Sequence, residues 1–237
     1  MPTQADPFFE PYDREQIAYG SVPSSAVHAF LQQINVNPGS KALDLGAGAG
    51  RDTLALAQAG YHVKSVDLSE RGLQRIMERA NAVDVGDRVE ACVADVRRFE
   101  YATDHYDAIV ATTVLDHIPA SDSVSVWNQM VASLAPEGFL FAEVHTTEDP
   151  GSGQMPGLAS DAPVSETTGP VVNYFAPNQL VQWALQSKLR VLRYEERLEW
   201  DYTHGPEHLH GKAVLLAVRD GYHPAWYGQP AAFPRRG

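Results

Sequence analysis

The sequence predicts a doubly wound α/β fold, a mostly parallel sheet with helices on both faces. Three observations predict it. Short, nearly continuous apolar runs alternate with segments whose apolar residues recur at helical spacing. A glycine-rich loop joins the first such strand to the first such helix. Only nine residues, 203–211, separate the last two strands, too few for a right-handed crossover, so that pair is antiparallel.

The elements follow in order. Residues 41–45 read as a buried strand and 51–59 as an Ala/Leu-rich helix closed by Gly60. A second strand covers 61–66. Ser69 and Glu70 then supply an N-cap and a first-turn acid for a helix with Leu73, Ile76, Met77 and Ala80 on one face. Strands at 88–94 and 106–111 precede a helix at 124–134 with Trp127, Met130, Val131 and Leu134 inward, and Pro136 and Gly138 end it before a strand at 138–144. Residues 145–173 are rich in Gly, Pro, Ser and Thr without periodicity, a length that marks a functional loop, a lid or an insertion. A helix at 178–187 places Leu180, Val181, Ala184 and Leu185 inward, and the strands at 189–202 and 212–219 complete the set of seven. Ahead of the first strand, Val27, Phe30, Leu31 and Ile34 have helical spacing, so 1–40 is an N-terminal helical cap over the ligand edge. Residues 41–220 form the main domain, and 221–237 form an irregular tail.

Composition narrows the function. The 237 residues are 44% apolar and 20% charged, enough for one sizeable core. With 18 basic and 30 acidic side chains the net charge is −12 and the pI about 5.1, which disfavours a phosphate backbone as partner. No apolar run suits a membrane span. The start lacks the basic and apolar regions of a signal peptide, and the one cysteine, Cys92, forms no internal disulfide, so the expected compartment is cytoplasmic. Cys92 reads as a small core residue.

The most informative stretch is Asp44-Leu45-Gly46-Ala47-Gly48-Ala49-Gly50-Arg51. Glycines let the backbone turn and approach a ligand, and the following helix start offers unpaired N–H groups. The G-x-G-x-G spacing differs from the G-x-G-x-x-G of dinucleotide sites, and the acid at Asp44 suits a ligand carrying positive charge.

Together with Asp67 after the second strand and Asp95 after the third, this loop resembles the cofactor site of class I S-adenosylmethionine-dependent methyltransferases. The resemblance extends through Tyr106–Val110 and Leu134–Gly138, covering residues 40–144. It implies a Rossmann-like seven-stranded sheet in the order 3-2-1-4-5-7-6 with strand 7 antiparallel. It also implies S-adenosylmethionine as cofactor and a site made of Asp44, Gly46, Ala47, Gly48 and Arg51 beside the methionine part, Asp67 and Leu68 at the ribose, Asp95 and Val96 at the adenine, and Thr112. Gly50-Arg51-Asp52, Asn173-Tyr174-Phe175 and the histidine-rich run at 201–211 are similar to the tellurite-resistance and thiopurine methyltransferase-like branch, which implies a small sulfur, selenium or tellurium acceptor. The insertion at 145–173 leaves open a larger natural product as O- or N-acceptor.

Methyl transfer from a sulfonium is an in-line displacement, so proximity can carry much of the catalysis. Where a proton must leave the acceptor, the groups at the carboxyl ends of the strands are His117, Glu143, His145 and His210, with histidine easiest to poise as a base near neutral pH. His204, His208 and His210 with Glu207 have no defined metal spacing, and the run reads as a hydrogen-bonded hairpin or pocket wall, so no metal ligand is assigned. Tyr12, Tyr19 and Tyr174 could line the pocket. Two further classes fit the same pattern less well: a nicotinamide-dependent oxidoreductase, and a noncatalytic metabolite or metal binder on the same fold.

Overall fold

In the computed structural model the described residues are 22–152, 171, 173–201 and 207–225. The strands are β1 (Lys41–Leu45), β2 (His62–Asp67), β3 (Val89–Val93), β4 (Tyr106–Thr112), β5 (Leu134–His145), β6 (Leu189–Asp201) and β7 (His208–Arg219). The helices are α1 (Ser25–Leu31), α2 (Arg51–Ala59), α3 (Glu70–Ala82), α4 (Ala120–Ser133) and α5 (Gln179–Gln186).

The strands form one sheet in the order β3-β2-β1-β4-β5-β7-β6. Pairing is parallel from β3 to β5, and β7 runs antiparallel to both of its neighbours. The α/β, Rossmann-like class and the strand order are those expected from sequence.

Two apolar layers cover the sheet. On one face α1, α2 and α3 bring Val27, Phe30, Leu56, Ala57 and Ile76 against Phe139, Phe141 and Val214. On the other, α4 and α5 bring Trp127, Met130, Leu180 and Ala184 against Leu43, Ile109 and Leu140. The inner strands β1, β4, β5 and β7 are buried on both sides over most of their length, which is why they read as largely unbroken apolar runs rather than alternating ones.

Several boundaries differ from the sequence reading. β5 begins at Leu134, directly after α4, so Leu134 is a strand residue, and α4 starts at Ala120, four residues before the expected start at 124. His145 belongs to β5 and not to the insertion. β7 begins at His208, because His208-Leu209-His210 alternates with the period of a strand and Asp201 pairs with His208. On α5, Leu185 is 61% exposed while Trp183 packs on the core, since the helix turns its stripe toward Phe175 and Trp127. Cys92 is half-buried, as its strand β3 is the sheet edge. The part of the N-terminal cap that is described is one helix lying on a sheet face, with the Phe30 and Phe139 ring centroids 3.7 Å apart. Only its leading end, Ser24, reaches the carboxyl edge. Tyr12, Tyr19, His204 and most of the insertion and the tail lie outside the described residues.

Removing side-chain volume from the doubly covered sheet leaves a cavity that cannot collapse. Ile109→Ala, at a fully buried position on β4, is expected to cost about 2–5 kcal/mol in urea unfolding. Leu185→Ala should change stability by less than about 0.5 kcal/mol, against the larger cost that an inward-facing leucine would give.

Candidate functional site

Parallel pairing brings the carboxyl ends of β1, β2, β4 and β5 to one edge, and the loop after β1 lies across it. The Gly46 and Ala47 amides both donate to the Val66 carbonyl, at 2.9 and 3.1 Å, tying the loop to the end of β2. Gly46 and Gly50 have positive φ, and a Cβ at either would sit 2.9 Å from Val114 or 2.7 Å from Ile76. No larger residue fits there, so the loop can form only with glycine.

Asp67 closes the loop from the other side. Its Oδ2 accepts the Gly48 amide at 2.8 Å and its Oδ1 the Ser69 amide at 2.7 Å, while Ser69 caps α3 through the Gly72 amide. Each carboxylate oxygen retains a lone pair for a further donor, as two vicinal hydroxyls require. Burial raises the Asp67 carboxyl above its ordinary range despite those amide bonds. Leu68 is 50% exposed beside it and Val96 is buried, giving apolar surfaces for a purine. Asp95 is held by Arg97, which donates through Nε and Nη2, and this hydrogen bonding lowers the Asp95 carboxyl.

Asp44 lies beneath the loop. Its Oδ2 accepts from Thr53 Oγ1 at 2.5 Å, and Thr53 also meets Ser65. Burial first, and the neighbouring Asp52 second, push the Asp44 carboxyl up to about 8. Asp52 is itself buried, accepting from the Ser24 amide at 3.0 Å and from Thr112 Oγ1 at 2.8 Å, with Arg51 Nη2 3.8 Å away. Three crowded acidic groups and one guanidinium make an edge where a ligand with positive charge relieves the crowding and a pyrophosphate would add to it. That charge balance fits the sulfonium and ammonium of S-adenosylmethionine. Gly46, Ala47, Gly48 and Arg51 would border its methionine part, with Asp67 at the ribose.

A second group occupies the ends of β4, β5 and β7. His145 Nδ1 stands 2.5 Å from Asp116 Oδ2, both residues buried, and the same oxygen accepts the His145 amide at 3.0 Å. Burial opposes ionisation of Asp116, but His117 and His145 outweigh it and hold the carboxyl below its usual range. His117 is half-buried, its ring centroid 6.2 Å from that of His145. Buried His210 repeats the pattern, its Nδ1 2.9 Å from Asp149 Oδ2, and its ring lies 4.6 Å from His145. Burial lowers the His210 imidazole, with the Asp149 bond acting against it.

Glu143 stands apart. It shares a side of β5 with His145, as alternation required, but it is buried in an ion pair with Lys212 at 3.1 Å. Tyr174 sits near Asp116 and Asp149, and burial together with their charges pushes its hydroxyl up to about 12.

Sequence reasoning did not assign Asp52, Asp116 or Asp149. Asp52 and Asp116 were visible only as neighbours of Arg51 and His117, and Asp149 lay in a segment without periodicity. Each is found through its partner and not through spacing.

The fold and this acid-flanked loop are of the class I methyltransferase type, a match that supports S-adenosylmethionine as cofactor. Residues 42–138 match the family model of a methyltransferase domain, so the chain carries such a domain. Among curated proteins, Methyltransferase GfsG of Streptomyces halstedii is 32% identical over 112 residues, 47% of this chain and 40% of that protein. The ubiquinone biosynthesis O-methyltransferase of Bordetella avium is 34% identical over 106 residues, 44% and 42% of the two chains. The alignments thus span less than half the length of these relatives. Among solved structures, TehB from Haemophilus influenzae superposes with a TM-score of 0.64 at 22% identity, covering 82% of this chain and 62% of that one, a likeness of fold.

Two outcomes follow. Asp67→Ala should weaken S-adenosylhomocysteine binding by about 2 kcal/mol, roughly 30-fold, in calorimetry. Asp44 keeps its proton to about pH 8 in the folded state but only to the ordinary carboxylate range when unfolded. The folded state therefore binds more protons between those limits, and its stability falls as pH rises through them. Ligand-free protein should show that decline in unfolding midpoints from pH 5 to pH 8, and Asp44→Asn should flatten it.

Proposed function

We propose that the chain is an S-adenosylmethionine-dependent methyltransferase for a small molecule, methylating an acceptor hydroxyl whose proton passes to His145. The observation that carries this reading is the buried Asp116–His145 pair at the same sheet edge as the glycine loop. The two are adjoining: Val114, which packs on Gly46, precedes Asp116 by two residues. An O-methyltransferase among the relatives and the net charge of −12, unsuited to nucleic acid, support it.

When bound, the cofactor supplies an electrophilic methyl group on a sulfonium. The chain's own contribution is position and proton control. Asp116 accepts from Nδ1 and fixes the tautomer in which Nε2 carries the free lone pair, and its charge stabilises the imidazolium formed when Nε2 takes the acceptor proton. Oxygen becomes a strong nucleophile only as that proton leaves, so the step needs a base within hydrogen-bond reach. Burial of His145 and Asp116 keeps competing water from the pair. Glu143, paired with Lys212, ties β5 to β7.

A second reading, methylation of a sulfur, selenium or tellurium anion, is favoured by the TehB-like fold. Such acceptors are already deprotonated and need no base, which separates the two readings. Transfer to a panel of phenols, enols, thiols, selenite and tellurite should succeed with a hydroxyl acceptor. His145→Ala should then lower turnover by about 10²–10⁴-fold, and Asp116→Asn by a comparable factor, with S-adenosylhomocysteine affinity unchanged. Transfer confined to chalcogen anions and indifferent to His145 would instead establish the second reading.

A further inference from the structure

The histidine-rich run that spacing alone could not interpret acquires a defined geometry once β7 is seen to begin at His208. Positions 208 and 210 lie on one face of the strand, and Asp201, paired directly opposite His208 on β6, lies on that same face. His208 Nε2 and His210 Nε2 stand 3.0 Å apart, and Asp201 Oδ2 is 3.8 Å from His210 Nε2. One ligand atom from each of the three residues falls within 4.8 Å of the other two.

Two donors at about 2.0–2.1 Å from a tetrahedral ion are about 3.3 Å apart, a value the two observed separations bracket. The outer partner is also in place. His210 Nδ1 faces buried Asp149 Oδ2 at 2.9 Å, and that carboxylate further accepts the Gly211 amide at 3.0 Å. A carboxylate on Nδ1 assigns the proton to that nitrogen and directs the Nε2 lone pair toward His208 and Asp201. Histidines that bind metals are oriented in this way. Two imidazoles and a carboxylate suit zinc or a neighbouring first-row ion better than magnesium or calcium, and three protein ligands leave a coordination position open.

We propose that Asp201, His208 and His210 bind a divalent first-row transition metal ion of the zinc type, with Asp149 orienting His210 from the outer shell. The ion replaces the His208–His210 hydrogen bond and clasps the tip of the β6–β7 hairpin beside His145. The proposal is independent of the acceptor reading, because its readout is metal uptake and not turnover.

Untagged, metal-stripped protein titrated with zinc against a chromogenic chelator, and separately with cobalt by visible absorption, is expected to take up one equivalent of either ion. Cobalt should show the intense bands of a four-coordinate site. His208→Gln and Asp201→Asn should each lower zinc affinity at least 10-fold and Asp149→Asn about 10–100-fold. His62→Ala, at the opposite end of the sheet, should change nothing. S-adenosylhomocysteine binding retained in every variant shows that the chain is folded. No stoichiometric uptake by the wild type, or uptake by both His208→Gln and Asp201→Asn equal to it, overturns the proposal and leaves the pair as a hydrogen-bonded hairpin.

Discussion

Parallel registration of β1 between β2 and β4 is the constraint on which the rest depends. It aligns Asp44 with Ser65 and with Val110, so the three strands end together and their following loops share one edge. The crossover helices that such pairing demands bury both faces of the sheet, and the chemistry is left to the edge. There the Val66 carbonyl receives two loop amides and Asp67 receives a third, so the neighbouring strand holds the glycine loop together with the loop's own Gly50-to-Ala47 turn bond.

Electrostatics at this edge run against the stability of the empty protein. Asp44, Asp52 and Asp67 are all buried close together, and Asp44 responds by holding its proton to about pH 8. A cationic ligand supplies what the chain withholds, so part of its binding free energy is relief of this crowding. The acceptor side is organised differently. Each carboxylate there is matched to an imidazole, Asp116 to His145 and Asp149 to His210, and both carboxyls stay below their ordinary range. Negative charge concentrates under the loop and is compensated beyond it.

The fold was legible in the sequence because its signals are local. Apolar runs, Gly60, the Ser69 cap and the short last connection each depend on residues close in the chain; Gly60 and the Ser69 cap fall where they were expected, and the last connection is antiparallel as its length required, though β7 begins earlier, at His208. The acids Asp44, Asp67 and Asp95 stood out for the same reason, since each lies at or just beyond the carboxyl end of a strand. The acceptor side was not. Asp116 meets His145 across 29 positions and Asp149 meets His210 across 61, contacts made by sheet closure that no spacing rule encodes. Glu143 shows the converse: alternation placed it correctly on the side of His145, yet its ion pair with Lys212 is seen only in three dimensions.

The central claim is that the edge is built for a nucleoside bearing an amino-acid tail and not for a dinucleotide. Calorimetry of the unmodified protein with S-adenosylhomocysteine, and in parallel with NAD and NADP, tests it most directly. Saturable binding of one equivalent of S-adenosylhomocysteine, with no heat from either dinucleotide, is the predicted result. Binding of a dinucleotide in preference, or of none of the three, would contradict it.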